Sequence, residues 1–150
     1  MMNLDRLRTV IASDEGCSNE VSLDSVLEPT CGIGHLITKD DIEFGCIIGT
    51  KVSDERVNEL FENDIQACLD DCKKLHSDFE TFPEDAQITV ASLFFQLGWN
   101  RYGKFKLHNA AIKKRDWHEA ARELRDSLLY RQTQARTERH AKRLEGLALG

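Results

Sequence analysis

Residues 14–36 read DEGCSNEVSLDSVLEPTCGIGHL, and the rest of the chain is organised around this stretch. Ahead of it, Leu4, Leu7, Val10 and Ile11 recur at helical spacing, which predicts a first helix to about Ser13, with Glu15 at its end and Gly16 as its stop. From Cys17 to about Ile37 the pattern changes. Scattered polar residues, Pro29 and the run Gly32-Ile33-Gly34 disfavour helix and suit short strands joined by turns. Asp24 falls in the predicted hairpin, and Thr30 stands just before the paired glycines.

Downstream of the hairpin the chain reads as helical. Thr38 is an N-cap candidate, which predicts a short helix from Lys39 to about Ile48. Ser53-Asp54-Glu55 is a strong helix start, a capping hydroxyl followed by two acids that complement the dipole. Val57, Leu60, Phe61, Ile65, Cys68, Leu69 and Cys72 then form one apolar stripe, so a long helix is predicted over about 54–76. Phe82-Pro83-Glu84 restarts the chain with Pro at the first helical position. Residues from Ala86 to Leu97 are apolar nearly all round, the mark of a buried central helix, which Gly98 ends. Further short helices are predicted from about Phe105, around Trp117–Arg125 and from about Thr137. The fold class is therefore α+β and mostly helical. One domain over 1–150 is expected, with a small N-terminal β-containing lobe (about 14–53). The connecting helix (about 54–76) leads to a helical C-terminal lobe (77–150 plus 1–13).

Bulk composition narrows the class. A chain of 150 residues with 41% hydrophobic and 31% charged residues reads as globular, and no apolar run reaches the roughly 20 residues that span a bilayer. The N-terminus lacks the apolar core of a secretory signal. The net charge of −6 is unevenly spread: residues 1–97 hold 7 Lys/Arg against 20 Asp/Glu, whereas residues 98–150 hold 13 against 6. A basic last third is suited to an anionic partner such as nucleic acid or cell wall, or simply complements the acidic part. Cys17, Cys31, Cys46, Cys68 and Cys72 have no zinc-ligand spacing, so they read as small buried thiols and no metal is expected.

Breaking a glycosidic bond requires a proton for the leaving oxygen, and a nucleophile or activated water on the other face. Two carboxylates in contrasting environments supply both. Asp14, Glu15, Glu20, Asp24 and Glu28 are all available, and acids are common enough that arrangement, not presence, matters. In this sequence Glu15 is followed after eight residues by Asp24, after five more by Thr30, and then by Gly32-x-Gly34-His35-Leu36. Further along come Thr38-Lys39, Asp54-Glu55, Leu60-Phe61, Asp64, Phe95-Gln96-Leu97-Gly98, Trp117-His118-Glu119-Ala120-Ala121 and Tyr130-x-Gln132-Thr133-x-x-Arg136. This ordered set resembles the phage-type lysozymes, glycoside hydrolase family 24, in particular the T-even phage (endolysin) branch.

The resemblance implies a lysozyme-like fold and a muramidase, an O-glycosyl hydrolase cutting the β-1,4 bond between N-acetylmuramic acid and N-acetylglucosamine in peptidoglycan. It assigns Glu15 as general acid, with Asp24 and Thr30 holding the attacking water so that the anomeric carbon inverts. Arg136 would pair with and position Glu15, and His35 with Asp64 would form a supporting ion pair. Leu36, Gln96, Phe105, Gln132 and Thr133 align with positions that line the substrate cleft. Departures from the family pattern include Ser22 for an aromatic residue, Leu27 for a glycine, Ser92 for an asparagine and Leu129 for an aromatic residue.

Simpler readings stand beside these. Asp24 in a turn suits a local hydrogen bond, and Thr30 is a strand former. Trp117, Phe94 and Phe95 read as core, and His108, His118 and His140 as solvated. The main alternative function is a catalytically weakened cell-wall-binding module of a phage particle. A nucleic-acid binder lacks the interleaved aromatics such proteins use. The expected partner is bacterial peptidoglycan, with no nucleic acid, no membrane insertion, no cofactor, and a monomeric state. Synthesis in the host cytoplasm and release to the cell wall through a phage-made membrane lesion complete the expectation.

Overall fold

Helix α1 (Leu4–Glu15) gives way at Gly16 to strand β1 (Ser18–Leu23), and a hairpin returns the chain as β2 (Pro29–Gly32) and β3 (His35–Leu36). The computed structural model describes residues 2–149. The sheet is antiparallel in the order β1-β2-β3, with Ser22 opposite Thr30, Leu23 opposite Pro29, Thr30 opposite Leu36 and Cys31 opposite His35. Helix α2 (Asp54–Leu75) follows a run of turns; then come α3 (Glu84–Gly103), α4 (Lys106–Lys113), α5 (Trp117–Arg125), α6 (Leu128–Gln132) and α7 (Gln134–Leu149). The mostly helical α+β class expected from the sequence is borne out.

The chain divides into two compact units, Arg8–Ala67 and Met1–Leu7 with Cys68–Gly150, so the boundaries fall inside α1 and α2. In the first unit, Val21, Cys31, Ile37, Val52, Val57 and Leu60 make one buried cluster beneath the sheet, with Ile33 packed against it. Strand period two explains this: Val21 and Cys31 face the cluster while Ser22 and Thr30 face away. The α2 start forms as the sequence predicts, with Ser53 Oγ accepting from the Arg56 N–H at 3.1 Å.

The second unit is built around α3, whose Ala86, Ile88, Val90, Ala91 and Leu93 are all fully buried. Gly98 (φ 76°, ψ 172°) breaks α3, and helix resumes to Gly103. Helix α7 packs against α5, α3 and α6, and Arg125 of α5 ties it down through Glu138 (2.9 Å) and Glu145 (2.5 Å). Phe82 is enclosed by Phe79 and Trp117, edge to face, with the Arg115 guanidinium 5.1 Å above its ring.

Several expectations are corrected. Residues 39–48 form no helix; they make successive i→i+3 turns through Thr38–Asp41, Asp41–Phe44 and Glu43–Cys46. The Asp41 carboxylate folds back onto the Thr38 N–H, and Gly45 adopts φ +80°, which stops a helix from propagating. Pro83 is the cap of α3, one position earlier than predicted, and α7 begins three residues before Thr137. His108 and His140 are buried, not solvated, while Cys17 and Cys46 are exposed thiols.

Candidate active site

The first unit gathers six of the candidate residues. Glu15 ends α1 half-buried, and its carboxylate lies against the β2–β3 turn: a Cβ on Gly34 would fall 2.7 Å from Glu15 Oε2 and 3.1 Å from its Cδ. Gly34 also has φ +64°, so the turn needs glycine twice over, for its backbone and for the space the carboxylate occupies. Of the pair, only Gly34 lies against the acid; at Gly32 a Cβ would meet Val57 at ordinary contact distance, and its φ of +62° is what favours glycine there.

Asp24 closes the β1–β2 hairpin. Its N–H donates to the Glu28 carbonyl at 2.8 Å, and its Oδ1 accepts from the Val26 and Glu28 N–H groups at 2.9 Å each. One carboxylate oxygen therefore holds the turn, the local role the simpler reading gives it, and Oδ2 remains available for a ligand. Because Ser22 opposes Thr30 and Asp24 follows Ser22 by two, Asp24 and Thr30 share the sheet face turned away from the core, as diagonal neighbours. Leu36, opposite Thr30, continues that row and is exposed.

His35 faces the other way. Its Nδ1 lies 2.7 Å from Asp64 Oδ2 on α2, and its Nε2 lies 2.8 Å from Asp41 Oδ2. Carboxylates at both ring nitrogens require both N–H donors, so the imidazole is cationic. The Asp64 hydrogen bond is the largest influence, burial opposes it, Asp41 adds to it, and the pKa is pushed up to about 9. Burial works against ionisation of Asp41, but the Thr38 N–H and His35 outweigh it and lower its pKa. Behind Asp41, Arg56 grips the buried Glu43 with two hydrogen bonds of 2.9 Å, reaches Glu59 at 2.5 Å, and holds Glu43 ionised. Cys31, across from His35, is raised to about 11 by burial and by Glu43 and Asp41.

Asp41, Glu43 and Arg56 were not among the residues singled out from the sequence. The available signal was Thr38-x-x-Asp41, a capping-box spacing. It is used here to close a turn, not to start a helix.

The remaining candidates lie in the second unit. Gln96 on α3 is half-buried, and its side-chain oxygen is enclosed with no hydrogen bond among the described residues. Phe105 precedes α4 and packs against Tyr102 and His108. Gln132 is exposed at the end of α6. Thr133 Oγ1 donates to the Leu129 carbonyl and meets Thr137 Oγ1 at 3.0 Å, and Arg136 is half-buried on α7. No group of His, Cys, Asp and Glu among the described residues is arranged to hold a metal ion.

A family model described as phage lysozyme matches residues 12–147. The chain belongs to the phage lysozyme family. That membership brings the enzyme class with it, a glycosidase of the muramidase type. Among curated relatives, two proteins of Dictyostelium discoideum, probable T4-type lysozymes 1 and 2, are each 28% identical over 152 residues, covering 89% of this chain and 89% of their own length. The pre-baseplate central spike protein Gp5 of Enterobacteria phage T4 is 29% identical over 148 residues. The match takes in 87% of this chain, which spans only 26% of the spike protein's length.

Proposed function

We propose that this family member is an endolysin that hydrolyses the β-1,4 bond between N-acetylmuramic acid and N-acetylglucosamine, with Glu15 as general acid. The observation that supports this most directly is the Glu15 carboxylate seated on the Gly34 turn, where a Cβ would displace it. A proton donor must be held in one place, because proton transfer depends on reach before acidity. Asp24, whose Oδ2 is not engaged by the hairpin, together with Thr30 on the same sheet face, is assigned the attacking water. Water delivered from the face opposite the acid gives inversion, which needs carboxyls roughly 6.5–9.5 Å apart to admit it.

Leu36, Gln96, Phe105, Gln132 and Thr133 are assigned to the saccharide. Arg136 is assigned to positioning Glu15, and the His35–Asp64 pair to supporting the turn. No helix among the described residues is long and apolar enough to cross a membrane. The route we favour is synthesis in the host cytoplasm, passage through a phage-made lesion, and action as a monomer on peptidoglycan during host lysis.

The test is clearing of outer-membrane-permeabilised bacteria by wild type and Glu15→Gln, each checked for folding. Loss of about a hundredfold or more in the variant is expected for removal of a general acid. Equal clearing by both would reassign the acid. A second reading, a weakened wall-binding module of a virion, draws on the likeness to the spike protein. Pelleting with purified wall without any release of reducing ends would favour it.

A further inference from the structure

Asp41 has no role in the family assignment, yet it completes a chain of contacts that ends at the acid. Its Oδ2 accepts from the Thr38 N–H at 2.8 Å and meets His35 Nε2 at 2.8 Å, while its Oδ1 lies 3.8 Å from Arg56. The second ring nitrogen of His35 is taken by Asp64 on α2. His35 immediately follows Gly34, against whose Cα the Glu15 carboxylate lies, 2.7 Å from where a Cβ would stand.

We propose that Asp41 is a second positioning carboxylate for this site: with Asp64 it clamps His35 from both ring nitrogens and fixes the Gly32–His35 turn against the Glu15 carboxylate. This rests on the reading of Glu15 as the acid. A single carboxylate leaves the imidazole free to swing about one hydrogen bond; two at opposite ring nitrogens fix its plane. The backbone next to it then has little freedom to shift away from Glu15. Arg56, itself held by Glu43, lies behind Asp41, so the clamp is anchored in α2 at both ends, through Asp64 and through Arg56. Opposite His35 on the strand pair stands Cys31, whose thiol burial pushes up and keeps neutral.

Two variants test this, Asp41→Asn and Asp41→Glu, compared with wild type on soluble peptidoglycan fragments from pH 6 to 9 and by NMR titration of His35. In Asp41→Asn the His35 titration should fall by about one to two pH units, the usual influence of one adjacent carboxylate. Its kcat should drop roughly threefold at pH 6 and roughly tenfold at pH 9 relative to wild type, with KM unchanged, as expected for small misplacement of a catalytic group. Taking the ratio to wild type removes the titration of the acid common to both. Asp41→Glu should recover most of the loss.

A ratio that is flat with pH, a rise in KM with kcat intact, or equal defects in both variants would overturn the clamp. If Asp41→Asn does not fold, Thr38→Pro, which removes the N–H that Asp41 accepts, gives the same reading: an unmoved His35 titration overturns the proposal. The two failures are distinguishable. An active Glu15→Gln overturns the acid assignment and leaves the His35 titration shift standing. An inactive Glu15→Gln with unmoved His35 titration and a flat kcat ratio in Asp41→Asn overturns the clamp alone.

Discussion

The two units use histidine in opposite ways. In the unit of Arg8–Ala67, His35 is gripped by two carboxylates and pushed up to about 9. In the other, His76, His108 and His140 are buried among apolar helices, and burial is the largest influence on each, lowering them to about 4, 4 and 3. Lys113 near His76 and Arg143 near His140 add to the lowering. In His108 the Ala120 carbonyl, which accepts from Nδ1–H at 2.9 Å, works against burial and is outweighed by it, while Nε2 meets the Tyr102 hydroxyl at 2.8 Å. The difference teaches that a residue's charge here is set by the unit that contains it. One unit holds its histidine between carboxylates; the other encloses its histidines in an apolar core where a proton is disfavoured.

The largest expected effect is on acid stability. A histidine lowered in the folded state contributes stability that is present above its unfolded value near 6.5 and is lost as pH falls toward the folded value. Three such groups, each lowered by about 2 units or more, correspond to a total of several kcal/mol at about 1.4 kcal/mol per unit. The unit that includes α3–α7 should therefore open first as pH drops from about 6.5 to 4. Hydrogen exchange resolved by segment checks this. Protection lost first over 18–50 would break the comparison.

Smaller, and opposite in sign, is the effect of His35. A raised group contributes stability that is fully present below about 6.5 and lost as pH rises through about 9, a ceiling of order 3 kcal/mol for this shift. Its side chain is only 12% exposed, so solvent screening removes little of that. His35→Asn should lower the melting temperature by several degrees at pH 6 and by almost nothing above pH 9.5. A deficit independent of pH would mean that His35 stabilises by packing, not by charge.

The same contrast explains what the sequence revealed. Helices α2 and α3 were legible because their apolar positions persist over several turns and their starts are marked, by the Ser53 cap in α2 and by Pro83 in α3. The buried histidines were hidden by treating histidine as polar: Thr137, His140, Ala141 and Leu144 follow one helical stripe, and so do His108, Ala111 and Ile112. Residues 39–48 misled for the converse reason. Their local signals suit a helix, but Asp41 and Glu43 are drawn off to His35 and Arg56, partners that only the fold brings near. At the candidate site, Glu15, Asp24, Thr30 and His35 could be picked out because their spacing is ordered along the chain. Asp41 could not, since its meaning depends on a ring nitrogen that the hairpin presents.

The smallest effect sharpens the comparison at the hairpin tip. Leu27 has φ +64°, a conformation that costs a side-chain-bearing residue roughly 1–2 kcal/mol, and it is 75% exposed, so no core contact repays the strain. Its N–H bonds to the Asp24 carbonyl at 3.0 Å, which holds it there. Leu27→Gly removes the strain but gives the unfolded chain extra freedom worth roughly 0.4–1 kcal/mol. The net is a gain of about 0.5–1 kcal/mol, read as a higher denaturant midpoint at unchanged slope. Because Asp24 Oδ1 binds the N–H groups on either side of Leu27, relaxing the tip should also change kcat without changing the His35 titration. A stabilised variant with unaltered kcat would show that Asp24 is set by its strand and not by its turn. A destabilised one would show that the exposed leucine packs on something the hairpin needs.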